Sequence, residues 1–131
     1  MEEALKLVEA APASEREALM TLRISILKAL QRPEEVVPLR RAQVKAAPSS
    51  MVAHHNLASA LGDAGAAAEA EAEARKALSL GGKAPETWLV LARALQAQHK
   101  LTEAIVAYGE VLARRSDYLE AINAQAQLLW M

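Results

Sequence analysis

His54 and His55 are the side chains of this sequence best suited to acid–base work or metal ligation, and His99 is its only other histidine. Successive helical residues point about 100° apart, so two adjacent histidines on a helix neither close on one metal ion nor act as a dyad. No carboxylate stands at a ligand-like spacing beside them. The chain has no cysteine, which removes thiolate nucleophiles, disulfides and cysteine-based zinc sites. It also lacks a Gly-rich phosphate loop, a Ser/His/Asp arrangement and a pair of carboxylates in apolar surroundings. The expectation is a chain that is not an enzyme, with no catalytic residue, no metal and no cofactor.

The other charged groups point the same way. Arg40, Arg41 and Lys45 make a basic patch with Arg32, and Glu69, Glu71 and Glu73 make an acidic one. Both read as solvated faces of outward helices, with Glu71 and Arg75 as a helix pair worth tenths of a kcal/mol. Fifteen basic and sixteen acidic residues leave a net charge of -1, without the field of a nucleic-acid or polybasic membrane binder. The N-terminus has no basic region followed by an apolar run, and no apolar stretch nears the roughly 20 residues of a membrane span. A cytoplasmic protein is expected, and the alanine richness fits a bacterial source.

At 131 residues the chain fits a single domain. Aromatics are 3% of it and Phe is absent, while Ala, Leu and Val dominate, a composition that favours helices in close approach. Five Pro and five Gly fall between stretches of helical periodicity, so no strand is needed. The pattern predicts helices over about Glu2–Ala10, Ser14–Gln31, Glu34–Ala46, Met51–Asp63, Ala67–Leu80, Pro85–Gln98, Thr102–Arg114 and Tyr118–Met131, in round terms seven segments. Ser14 with Glu17 has capping-box spacing, Pro33 suits a first helical turn, and Ser116 and Asp117 offer caps for the last helix. Pro38 requires its helix either to start later or to bend.

Those segments repeat. Leu57, Ala58, Ala60, Leu61, Glu69, Ala70 and Leu78 recur 34 residues on as Leu91, Ala92, Ala94, Leu95, Glu103, Ala104 and Leu112. A fixed period of this size means helix pairs too small to hold a core alone, which must stack on their neighbours. In the second clear unit, Trp88-x-x-Leu91-Ala92-x-x-Leu95 precedes Ala104-x-x-x-Tyr108, and this resembles a tetratricopeptide repeat. The unit from Met51 to Ala84 matches through His54, Leu57, Ala58, Leu61, Ala70, Ala74 and Ala77, with His in place of Trp. One period earlier, Met20, Ile24, Leu27 and Val36 fall in register, but Arg23 sits where Leu is expected, so residues 1–50 read as degenerate or shifted. Units over 51–84 and 85–118 follow, then a terminal or cut helix over 119–131.

The resemblance implies an all-α, right-handed solenoid of antiparallel helix pairs, whose first helices line a concave groove. It places His54 in the Trp-like core position, Trp88 in the core, and Val52, His55, Ser59, Gly62, Glu86, Leu89, Arg93, Gln96, Glu120, Asn123, Gln127 and Trp130 on the groove. Of these, His55, Ser59, Glu86, Leu89, Arg93, Gln96, Asn123 and Gln127 are the expected partner-binding residues. Chaperone-binding members hold a terminal carboxylate in a Lys/Asn/Arg clamp. Arg93 and Asn123 are present here, but no matching lysine is.

The expected function is therefore a protein-interaction module taking a peptide or protein segment in the groove, with no nucleic-acid or membrane partner. Tyr118–Ala121 and Ala126–Met131 also resemble stretches in the tetratricopeptide regions ahead of bacterial 2-oxoglutarate/iron oxygenase domains. This implies an alternative: a non-catalytic accessory or dimerisation region of a larger bacterial enzyme, whose iron ligands have no counterpart here. The apolar end, Leu128-Leu129-Trp130-Met131, reads as a solenoid cut from a longer protein and adds the expectation of self-association through the C-terminal helix.

Overall fold

The computed structural model describes residues 13–130; the expected segment Glu2–Ala10 lies outside them. Among the described residues there are seven helices and no strand: α1 (Ala13–Ala29), α2 (Pro33–Ala46), α3 (Met51–Asp63), α4 (Ala67–Ser79), α5 (Pro85–Ala97), α6 (Leu101–Arg114) and α7 (Leu119–Leu129). Proline opens α2 and α5, where its missing N–H costs nothing because the first-turn amides have no helical partner. At α3, Ser50 is the N-cap and accepts the Ala53 N–H at 3.2 Å. Helix α4 starts at Ala67 as its pattern predicts, while other starts differ in detail. Helix α1 begins at Ala13, ahead of Ser14; α2 starts no later for Pro38, which lies inside it. The N-cap of α7 is Tyr118 with no side-chain bond, not Ser116 or Asp117.

The turns that fold each helix back on the next are the most regular feature of the molecule. Gln31, Gly65 and His99, spaced 34 residues apart, all take left-handed backbone angles, with φ of 57°, 84° and 60°. Each closes its helix with the same pair of bonds. Arg32, Ala66 and Lys100 N–H groups reach back to Leu27, Leu61 and Leu95 carbonyls, while Gln31, Gly65 and His99 N–H groups reach Lys28, Gly62 and Gln96. This Schellman arrangement satisfies carbonyls the helix leaves open. It also shows that the first hairpin keeps the 34-residue register without a shift.

The hairpins pair α1 with α2, α3 with α4 and α5 with α6, and α7 adds a single helix. Three apolar clusters run along the stack, each reaching into the next unit. Ile24, Leu27 and Val36 of the first hairpin enclose Ala60 of α3; Leu57, Leu61 and Ala70 enclose Ala94 of α5; and the last cluster joins Leu91, Leu95, Tyr108 and Val111 to Ala121 and Leu128 of α7. The receiving residues are alanines because backbones there approach too closely for a longer side chain, while Leu27, Leu61 and Leu95 repeat as the bulky layer. Trp88 packs against the last cluster, partly buried, with the Arg114 guanidinium 5.1 Å from its ring centre. No described helix is long and apolar enough to cross a membrane.

Candidate functional site

Three of the first helices, α3, α5 and α7, are tied side by side through polar groups. His55 Nδ1 on α3 shares a hydrogen bond with the Thr87 hydroxyl on α5 at 3.1 Å. Arg93 on α5 meets Glu120 on α7 fork to fork, Nε to Oε1 at 2.7 Å and Nη2 to Oε2 at 2.5 Å. Between α3 and α5 lies a cleft of about 130 Å³ lined by Ser59, Gly62, Asp63, Val90, Arg93 and Ala97 among others. These contacts define a shallow trough across the first helices, with a floor of small apolar residues and a polar rim.

Of the residues expected on the groove surface, Ser59, Gly62 and Arg93 line this cleft. Val52, Gly62, Glu86, Arg93, Glu120, Asn123, Gln127 and Trp130 are exposed, and His55, Ser59 and Gln96 are half-buried. Leu89 is the exception. At 3% exposure it belongs to the last apolar cluster, alongside Ala121 and Leu128 of α7, and offers no surface to a partner. Gln96 is also committed inward: its Oε1 accepts the Tyr108 hydroxyl at 2.6 Å, in a setting whose burial pushes the Tyr108 pKa up. Asp63, Val90, Ala94 and Ala97 line the cleft without having been read from the sequence.

The two histidines part as their neighbours dictate. His54 is buried, with Nδ1 2.6 Å from Glu73 Oε2 and Nε2 2.7 Å from the Pro48 carbonyl. A carboxylate and a carbonyl only accept, so both ring nitrogens donate and the ring is an imidazolium. The Glu73 bond raises its pKa, outweighing the burial that lowers it, and the Pro48 bond adds to the rise. Burial lowers the pKa of His55 instead, keeping it neutral on the trough wall. Neither is placed with two further His, Cys, Asp or Glu side chains in a group able to hold a metal, among the described residues.

The acidic run is not one solvated patch: Glu69 stays exposed, while Glu71 and Glu73 are partly covered. Glu69 pairs with Arg41 of α2 at 2.5 Å and Glu73 with His54 of α3, while Glu71 turns the other way. Its carboxylate accepts from Arg75 Nε, Lys100 Nζ and Gln98 Nε2, each at 2.9 Å. Burial alone would raise its pKa, but these three donors bring it down to about 2. These links hold α4 to both of its neighbours and leave the trough's own charges to α3, α5 and α7.

No family model matches the chain, and no curated protein matches it in sequence. Solved structures match it in shape. The first TPR domain of human RPAP3 superposes with a TM-score of 0.77 at 22% identity, over 86% of this chain and 89% of that one. The first TPR of Spaghetti (RPAP3), bound to the HSP90 peptide SRMEEVD, gives 0.78 at 22% identity, over 89% and 95%. The TPR domain of Arabidopsis OM64 gives 0.78 at 18% identity, over 87% and 94%. The chain thus has the tetratricopeptide-repeat fold, a solenoid of helix pairs.

Proposed function

We propose that the chain is a non-catalytic protein-interaction module that holds a peptide or protein segment along the trough formed by α1, α3, α5 and α7. The observation that carries this reading is the row of exposed polar groups, Arg93, Asn123 and Gln127 with half-buried Ser59, beside a cleft floored by Ala94 and Ala97. Such a surface offers backbone-directed hydrogen bonds at its rim and small apolar seats at its centre, the combination an extended or helical segment uses. The structural neighbours support it, since Spaghetti holds an HSP90 peptide and the second TPR domain of human RPAP3 holds an HSP70 peptide.

The test is a pull-down and titration comparing wild type with Arg93→Ala, Asn123→Ala and Gln127→Ala. Each rim side chain should contribute about 1 kcal/mol, so each variant should bind a captured partner roughly fivefold more weakly. Equal affinity of all three variants for every partner would remove the trough from the function.

A further inference from the structure

Resting on that reading, we infer that the trough selects a segment with basic rather than acidic side chains, and that Glu120 is the residue that shuts out carboxylates. Arg93 is the one arginine or lysine lining the central cleft. A guanidinium recognises a carboxylate through two parallel N–H donors, and on Arg93 that fork is filled by both oxygens of Glu120. The bond raises the Arg93 pKa, as expected of a cation already matched to its counterion. An incoming carboxylate finds the Nε–Nη2 edge taken and the charge balanced by Glu120, with only the Nη1 side of the guanidinium left to donate.

The charges left over have the opposite sign. Asp63 lines the cleft with no hydrogen-bond or ion-pair partner among the described residues, and on its other side borders a cavity lined by Lys28 and Arg32. Glu86, exposed at the opposite end of α5 near His55, has only Arg115 at 3.8 Å, and Arg115 is shared with Asp117. His55 adds no positive charge, because burial keeps it neutral. A lysine or arginine opposite Asp63, flanked by small apolar side chains over Ala94 and Ala97, is complementary to this surface in charge and size. The acidic SRMEEVD segment seated on Spaghetti is not.

Arg40 is the strongest counter-candidate. It is half-buried on α2, donates to Gln43 Oε1 at 3.0 Å and has no carboxylate among the described residues. It lies outside the lining of the α3–α5 cleft, and the experiment includes it for that reason.

Random heptapeptides displayed with free C-termini are selected on wild-type protein, and SRMEEVD and its amidated charge-reversed form SRMKKVK are titrated by fluorescence polarisation. The expected result is enrichment of Lys or Arg over Asp and Glu, with selected peptides losing at least tenfold in affinity on Asp63→Asn. SRMKKVK should bind at least tenfold more tightly than SRMEEVD at low salt, with the gap closing as salt rises. Glu120→Gln, which frees Arg93, should raise the affinity for SRMEEVD at least tenfold. Enrichment of acidic peptides overturns the inference but leaves the trough as a peptide site, and loss of that binding in Arg40→Gln would move the carboxylate to α2. An unchanged SRMEEVD affinity in Glu120→Gln also overturns it. Enrichment of no peptide at all overturns the trough reading itself.

Discussion

Replacing His99 by glycine should make the protein more stable, although it deletes a whole side chain. His99 is exposed, makes no side-chain hydrogen bond or ion pair among the described residues, and sits at φ 60° to close α5. A left-handed conformation costs an L-residue roughly 1–2 kcal/mol, and glycine escapes that cost while losing about 0.5–1 kcal/mol of extra backbone entropy on folding. The net gain for His99→Gly is therefore on the order of 0.5–1 kcal/mol, or about 2–5 °C in Tm for a chain of this size. Gln31→Gly, at φ 57° in the equivalent turn, should gain a similar amount. Gly65→Ala reverses the sign: at φ 84° its new methyl meets no atom within 4 Å, so its cost of about 1 kcal/mol is purely torsional. Gly82→Ala separates strain from collision, because its Cβ would stand 2.9 Å from the Ala77 carbonyl oxygen and should cost more than Gly65→Ala. Urea unfolding followed by circular dichroism reads all four as midpoint shifts at constant m. A lower midpoint for His99→Gly, or a higher one for Gly65→Ala, would refute the idea that these three turns share one strained conformation.

Three further outcomes follow from the polar and apolar core. Because the folded His54 pKa is raised, its contribution is complete below the unfolded value of about 6.5 and is lost as pH rises through the higher folded value. The urea midpoint should fall over that window and the fall should vanish in His54→Gln; an NMR titration giving His54 a pKa below 6.5 would contradict the geometry. Glu71 works in the opposite direction: with its pKa held at about 2, its contribution is complete above about 4.5 and lost as pH drops from there towards 2. Glu71→Gln should cost about 1–3 kcal/mol at neutral pH and flatten the acid limb of the stability profile, as read by calorimetry between those pH values. Leu89→Ala should destabilise by about 2–4 kcal/mol through a cavity in the last apolar cluster, and thermal unfolding that shows no change would place Leu89 back on the surface.

Much of the fold was legible because most of the prolines and glycines stand between the helical stretches. Helix α3 runs over Met51–Asp63, the range its pattern predicts, and Gly65, Gly81 and Pro85 stand at turns where their backbone freedom or rigidity is used. Gln31 and His99 carried no such mark; only their 34-residue distance from Gly65 betrays them. The acidic run misled because Glu69, Glu71 and Glu73 look like one patch. On a helix, residues two apart face nearly opposite ways and residues four apart share a face, so Glu69 and Glu73 turn to α2 and α3 while Glu71 turns to Gln98 and Lys100. Leu89 was misplaced because position within one helix cannot show how closely the next repeat closes over it. The cluster that buries it draws on Ala121 and Leu128, residues far from Leu89 in the chain.

The unequal apolar clusters give the molecule a direction of failure. Among the described residues, three buried residues of the first hairpin close on Ala60 of α3, against ten contributed by α5, α6 and α7 to the last cluster. In a stack whose units touch only their neighbours, opening begins where the local seam is thinnest and moves inward one unit at a time. Amide exchange should therefore be fastest in α1 and slowest in α5 and α6. The Arg93–Glu120 gate, seated in the firmest stretch, would outlast the detachment of the first two helices.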